Sequence, residues 1–423
     1  MKNSLKSVSN KNKQNIVLAL STIILGLIIG LSSLLLSLFL EMVETVFLHY
    51  QETAHVPAPI NSLPIIRLTS VICGGILAAI IWWFLRNKTR PTVSIKKALN
   101  GEEMPFWQTV IHVVTQIFYV GTGGSIGREL APREAGVLLA QKWEKLMDRF
   151  HLTELSSEDK RLLMTAAAGA GFAGIYISPI TGMFFSVEVL LKKLSLRNVC
   201  VSLTMSTIAM LIGSLVKGFK PYYLLNDFKF SMTSIVFVII LAPLAGLSGG
   251  LFRKCFQWAE KSHATQANIL WQLPGAAVLT GIIAYFFPEI MGNGRSLAQL
   301  AMNSSHLNML GILVIGAVLK ALVTVATIRA GASGGTLTPS IALGAALGVI
   351  VAMVMTCVMP GAISTGQGAI LGAAALLAAS QQAPFMAMFM LIEITHLDSS
   401  AILPLALGIM ISSVVSKRFL TKQ

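Results

Sequence analysis

Apolar runs long enough to cross a bilayer recur along the whole chain, at about 15–40, 64–85, 198–216, 231–252, 270–287, 308–328 and 399–416. A helix needs about 20 predominantly apolar residues to span the hydrocarbon core. Backbone groups in lipid must find their partners within the protein, so runs of this kind commit the chain to helices threaded repeatedly through a membrane. Composition agrees: only 12% of residues are charged, against about 25% in soluble domains.

The formal net charge of +14 does not point to nucleic acid, because the cations stand in short clusters at the ends of apolar runs. Lys2/Lys6/Lys11/Lys13, Arg86/Lys88/Arg90/Lys96/Lys97, Lys192/Lys193/Arg197, Arg253/Lys254 and Lys417/Arg418/Lys422 form such clusters. Loops held on the cytoplasmic side show this pattern, and two basic termini imply that both lie there after an even number of crossings. The first apolar run exceeds the roughly 7–15 residues of a signal-peptide core and lacks a small-residue cleavage site, so it reads as a retained helix. Cys73, Cys200, Cys255 and Cys357 are isolated and read as packing residues. The seven histidines are scattered without ligand spacing, so no metal and no cofactor is expected.

The chain also repeats itself. "GTGGS" (121–125) precedes "SPITGMFFSVEV" (178–189), and "ASGGT" (332–336) precedes "APFMAMFMLIEI" (383–394). The second pair aligns without a gap, Pro179 with Pro384, Met183 with Met388, Phe184 with Phe389 and Glu188 with Glu393. This gives an N-terminal tail 1–14, a membrane repeat 15–220, a linker 221–230, a second repeat 231–416 and a C-terminal tail 417–423. Twofold repeats of this kind typify transporters, whose sites lie at the repeat interface on interrupted helices. Both glycine-rich loops read as flanked by apolar segments of about 10–16 residues, too short to span and suited to broken or re-entrant helices.

The stretch "GTGGSIGREL" sets Arg128 and Glu129 between apolar flanks. Irregular backbone leading into a helix presents N–H groups at the positive end of the helix dipole, and glycine lets a ligand approach closely. This predicts an anion site on Ser125, Ile126, Gly127 and Arg128, with a second set of donors facing it from "GASGGTLTP" at Gly335, Thr336, Leu337 and Thr338. The spacing is not GxGxxG and no Walker lysine follows, which excludes the common nucleotide-binding loops. A carboxylate at membrane depth costs a few kcal/mol and marks function. An ionised Glu129 would itself compete for those N–H groups, and a protonated one would release them to an anion. Glu129 is therefore predicted to be a gate, with a structural pair to Arg128 or Arg133 as the alternative. Arg128 is expected to hold the loop in shape.

"GSIGREL" with "SPITGMFFSVE", "GNGRS" (292–296) and "GGTLTP" (334–339), in that order, resembles the chloride channel and proton–chloride antiporter (CLC) family, in its short bacterial branch. The resemblance implies a homodimer in the cell membrane, with one anion pathway in each subunit and each subunit built from two inverted halves. It matches Glu129 to the family's gating glutamate and Glu188 to an acidic residue on the dimer side. The chain departs from the family pattern where Leu130-Ala131-Pro132 replaces Gly-Pro, and where 88–99 offers only Thr89, Thr92 or Ser94 for a central serine. It departs again in lacking a tyrosine beyond Tyr285 and in carrying Val189 where antiporters place an internal proton glutamate.

The fold expected is an all-α polytopic membrane protein with two inverted-topology repeats and broken, re-entrant helices. The function expected is anion transport, chloride first, through a channel-like pore gated by Glu129 and not enzymatic. The alternatives are a proton-coupled chloride or fluoride antiporter, with Glu188 as a possible proton path, and an intramembrane serine hydrolase using Ser333 with His112 or His396. "WW" at 82–83 and "PFW" at 105–107 read as interfacial belt residues. Ser156 or Ser157 reads as a helix cap.

Overall fold

The structure is a computed structural model describing residues 2–150, 155–225, 229–359, 361 and 363–421, with backbone alone over 2–11. Met1, His151–Glu154, Asn226–Phe228, Pro360, Ala362 and the last two residues lie outside the described residues. The expectations that touch them are part of the 221–230 linker and the basic side chains of Lys2, Lys6, Lys11 and Lys422.

Helices account for nearly everything described. They run α1 (Lys2–Leu48), α2 (Pro64–Lys88), α3 (Ile95–Ala98), α4 (Phe106–Gly121), α5 (Leu130–Arg149), α6 (Ser157–Tyr176) and α7 (Pro179–Phe184), the last continued by a π-helical turn over Phe185–Leu191. Then come α8 (Leu196–Lys217), α9 (Thr233–Lys261), α10 (Ile269–Phe286), α11 (Arg295–Asn303), α12 (Leu310–Arg329), α13 (Leu337–Val358), α14 (Thr365–Gln381), α15 (Pro384–Thr395) and α16 (Ile402–Thr421). Among the described residues, eight helices are long and apolar enough to cross a membrane: the seven expected and Leu337–Val358. Their outward faces carry bare aliphatics such as Leu31, Leu215 and Leu322, each more than half exposed. A surface of that kind suits a lipid environment. This is a multi-pass, all-α membrane protein.

The chain divides into two compact units, each assembled from separated segments. The first comprises residues 1–37, 91–113 and 131–220. Its centre is α6, almost wholly buried and packed on α8. The Ser156 hydroxyl accepts from the Asp159 N–H, so Ser156, not Ser157, caps α6. Arg197 of α8 binds the Asp159 carboxylate at 2.8 Å.

The second unit comprises 38–90, 114–130 and 221–423. Here α13 lies on α14 along Gly344/Gly348 and Gly368/Gly372, where backbone meets backbone. Small residues four apart on both helices permit that approach, as in membrane helix pairs generally. Trp82 is not a belt residue: it is fully buried, edge-on to Tyr119 at 6.0 Å between ring centres. Trp107, by contrast, is 69% exposed.

The internal repeat persists in the backbone. Ile177 and Gln382 both end their helices in the left-handed conformation, at φ 54° and 55°. Ser178 and Ala383 follow with nearly identical dihedrals, each ahead of a proline that opens the next helix. The alignment is gap-free only in sequence, however. From Pro179 to the left-handed Lys192 is one residue longer than from Pro384 to the left-handed His396. The π-helical turn absorbs that extra residue, the usual way a helix accommodates an insertion. The flanks of the second glycine-rich loop also differ from expectation. At 20 and 22 residues, α12 and α13 are of full spanning length, because the apolar sequence continues well beyond the loop.

Candidate functional site

The two glycine-rich loops lie within the second unit, and they are built alike. After α4, Thr122 N–H donates to Phe118 O, Gly123 to Val120 O and Gly124 to Tyr119 O. After α12, Ala330 donates to Ala326 O, Gly331 to Ile328 O and Ala332 to Thr327 O. Gly123 and Gly331 take φ of 101° and 105°, a conformation that glycine adopts without strain. The register thus pairs Gly123 with Gly331 and Ser125 with Ser333, three residues away from the pairing of "GGS" with "GGT". The sequence alignment of Ser333 with Thr122 is corrected accordingly.

Farther along, Gly127 N–H donates to Gly335 O at 2.8 Å and Gly335 N–H donates to Gly127 O at 2.7 Å. Equivalent residues bonding each other reciprocally is what a twofold relation between the loops requires. Beside this bridge lies the carboxylate of Glu129, fully buried. Its Oε1 accepts from the Leu337 N–H at 2.5 Å, and its Oε2 faces Thr338 Oγ1 at 3.5 Å. Leu337 is the first residue of α13, so its N–H has no carbonyl partner within the helix and stands at the positive end of the dipole. A methyl group on Gly127 or Gly335 would overlap the carboxylate. Both glycines therefore leave room for an oxyanion as well as for the backbone bridge.

Not every expected donor faces that space. Ile126 N–H closes on Gly124 O, and the Gly127 and Gly335 N–H groups are taken by each other. In this structure the N–H groups of these three residues bond within the loops and hold their shape. Ser125 Oγ reaches Ile290 O at 3.0 Å, and Thr336 Oγ1 accepts from Gln381 Nε2 at 3.2 Å. Leu337 and Thr338 do face the Glu129 carboxylate. Neither expected arginine pair to Glu129 accounts for the geometry. Arg128 extends to Glu52 at 3.2 Å, and Arg133 lies over the Phe185 ring at 4.9 Å.

Two features escaped the sequence reading. The first is Lys320, fully buried in α12, whose Nζ donates to Ser125 Oγ (2.8 Å), Ile290 O (3.0 Å) and Gly292 O (2.7 Å). It ties the first loop to the 290–292 turn. A lone lysine inside a spanning run was a legible signal, since such residues are seldom there by default.

The second is a polar cluster around Glu52, on the loop after α1. Arg295 opens α11 and binds Glu52 Oε1 at 2.9 Å, with its guanidinium stacked 3.8 Å from the Tyr222 ring centre. Burial works against the charge of Arg295, but Glu52 and Tyr222 more than offset it and hold its pKa above the ordinary value. Burial, with Glu52 and Glu44 adding to it, pushes the Tyr50 hydroxyl well above its usual range.

The model of the voltage gated chloride channel family matches residues 73–417. The chain belongs to that family. It is 30% identical over 352 residues to a ClcB-like chloride channel protein of Ralstonia nicotianae, covering 81% of this chain and 80% of the relative. Its fold is similar to a slow cyanobacterial Cl−/H+ antiporter, with a TM-score of 0.78, 22% identity and coverage of 95% and 94%. A CLC-type fluoride/proton antiporter aligns with a TM-score of 0.67 at 19% identity, over 96% of each chain.

Within this voltage gated chloride channel fold, Glu188 lies in the π-helical turn of the first unit, half-buried, with Val189 beside it. The hydrolase residues are engaged otherwise. Ser333 Oγ accepts from Arg86 at 3.0 Å, and His112 faces Glu134 at 3.4 Å. Among the described residues no group of three or more His, Cys, Asp or Glu side chains could hold a metal.

Proposed function

We propose that this protein carries small anions, chloride foremost, across the cell membrane through a pathway gated by Glu129, in a channel-like manner. The observation that carries this reading is the seat of the Glu129 carboxylate on the first N–H of α13. A helix N-terminus of this kind is an anion site, and a carboxylate resting there stands in for the transported ion. Protonation removes its negative charge and with it the claim on the N–H, so an anion can replace it. Lys320, bonded to Ser125 Oγ, holds the loop that leads to the gate in place.

The working form is proposed to be a homodimer with both termini in the cytoplasm, and each subunit is proposed to comprise the two repeats 15–220 and 231–416. A second reading, proton-coupled antiport, is favoured by the two structural neighbours, both described as proton antiporters. Val189 speaks against it, because a valine cannot relay a proton past Glu188.

One experiment separates the readings. Chloride-loaded proteoliposomes are allowed to discharge while external chloride and external pH are recorded together. Flux without proton movement supports the channel, and flux with stoichiometric proton uptake supports the antiporter. No flux from folded protein overturns both.

A further inference from the structure

The Glu129 seat is not the only place where a carboxylate occupies a pocket made for a negative charge. Three donors converge on a single oxygen, Glu52 Oε1: Arg295 Nη1 at 2.9 Å, Arg128 Nη2 at 3.2 Å and the Tyr222 hydroxyl at 3.4 Å. The two guanidiniums are almost completely buried, with side-chain exposures of 7% and 4%.

Each donor is held by bonds that do not depend on Glu52. Arg295 Nε donates to Tyr222 O at 3.0 Å, and its backbone N–H is held by Asn293 Oδ1 at 3.0 Å. The Tyr222 hydroxyl accepts from Asn293 Nδ2 at 2.9 Å and from Arg128 Nη2 at 3.2 Å. Tyr222 itself is anchored by its N–H on Ile394 O at 2.7 Å. The cage of donors is thus fixed by α11 and the 222–223 segment. Glu52, by contrast, comes from the loop between α1 and α2, where its N–H is bound by Glu44 Oε2 at 3.0 Å.

We infer that Arg128, Arg295 and Tyr222 form a second anion subsite, adjoining the gate through the shared Arg128–Glu129 backbone, with the Glu52 carboxylate as its resident occupant. This rests on the anion-transport reading and deepens it. The ligand class is a small monovalent anion, because the three donors meet at one point, Glu52 Oε1, where a single anionic atom fits. Two pre-organised guanidiniums with one movable carboxylate reproduce, one residue away, the arrangement at Glu129: fixed donors and a removable internal anion. The Glu52 carboxylate would swing aside on its loop as an anion arrives and return behind it.

The test uses full-length protein and bromide as the probe. Crystals of wild type, Glu52→Ala and Glu52→Ala/Arg295→Gln are soaked in bromide and read by anomalous diffraction. Bromide uptake into proteoliposomes is measured in parallel. The expected result is a bromide bound by Arg128 and Arg295 in Glu52→Ala, absent from wild type and lost again in the double variant. Its functional counterpart is a bromide half-saturation in Glu52→Ala lowered by about tenfold, as expected when a competing charge leaves a partly buried site.

A folded Glu52→Ala without bromide at that position overturns the inference, as does bromide bound equally in the double variant. Where Glu52→Ala does not fold, Glu52→Ser, which withdraws the side chain from the cage and removes the charge, decides in the same way. Wild-type protein that transports nothing would sink the transport reading, while the bromide density would still decide the subsite as a binding site.

Discussion

Replacing Glu129 by glutamine isolates the charge of the proposed gate with little change of shape. The amide oxygen can still accept from Leu337 N–H, so the closed geometry survives, but the bond is no longer charge-assisted. Hydrogen bonds to a charged group contribute about 1.5–3 kcal/mol and neutral ones about 0.5–1.5 kcal/mol. The closed state therefore loses about 1–1.5 kcal/mol, and the ratio of open to closed rises about 5- to 13-fold. Glu129→Ala removes the whole contact and shifts the ratio by about 13- to 160-fold on the same scale. The assay is initial chloride efflux from proteoliposomes at matched protein density, over a range of external pH. Wild type should accelerate on acidification, Glu129→Gln should begin fast and respond little, and Glu129→Ala should exceed both until another step limits. A folded Glu129→Gln protein with the wild-type rate and the wild-type pH response would refute the reasoning, because the carboxylate would then not be what closes the path.

Gly335→Ala places a methyl in the space the carboxylate and the anion share. It is expected to cut efflux at least about tenfold, and Glu129→Ala should not restore it, which a double-mutant cycle on flux would read. Ser333→Ala should leave efflux within about twofold and a serine-directed probe should not label wild type. Labelling at Ser333 together with lost function would favour a hydrolase. Glu103 bonds Lys145 and Lys142, and these bonds hold its carboxyl below the usual range. A depressed carboxyl pKa stabilises the fold above the ordinary carboxylate range and ceases to do so as pH falls through the lowered value. The group is almost fully exposed and screened, so Glu103→Gln should lower the melting temperature by about 1–2 °C at pH 7, and by progressively less as the medium is acidified through the lowered value.

Much of the fold was legible because lipid allows so few solutions. Apolar run length alone located seven of the eight spanning helices, and missed Leu337–Val358 because the glycine loop before it suggested a short segment. The seat of Glu129 was legible because a lone carboxylate between apolar flanks has few structural uses. The loop register was not, because "GGS" and "GGT" match equally well at several offsets, and only the turn bonds after α4 and α12 choose between them. The Glu52 cluster could not be read from sequence. Glu52, Arg128, Tyr222 and Arg295 are far apart in the chain, and none belongs to a local motif with the others. The π-helical turn escaped for a related reason: one inserted residue leaves a gap-free alignment intact until the helix ends are compared.

The reciprocal Gly127–Gly335 bonds also bear on time. They stitch the two walls of the proposed anion seat together, so neither loop can withdraw without breaking a buried pair of backbone bonds. The moving part is then one side chain, which turns over far faster than loops or domains rearrange. Opening would be clocked by the arrival of a proton at Glu129 and not by any slow deformation of the frame. Changes in lipid that stiffen the helices should accordingly leave the opening rate nearly untouched.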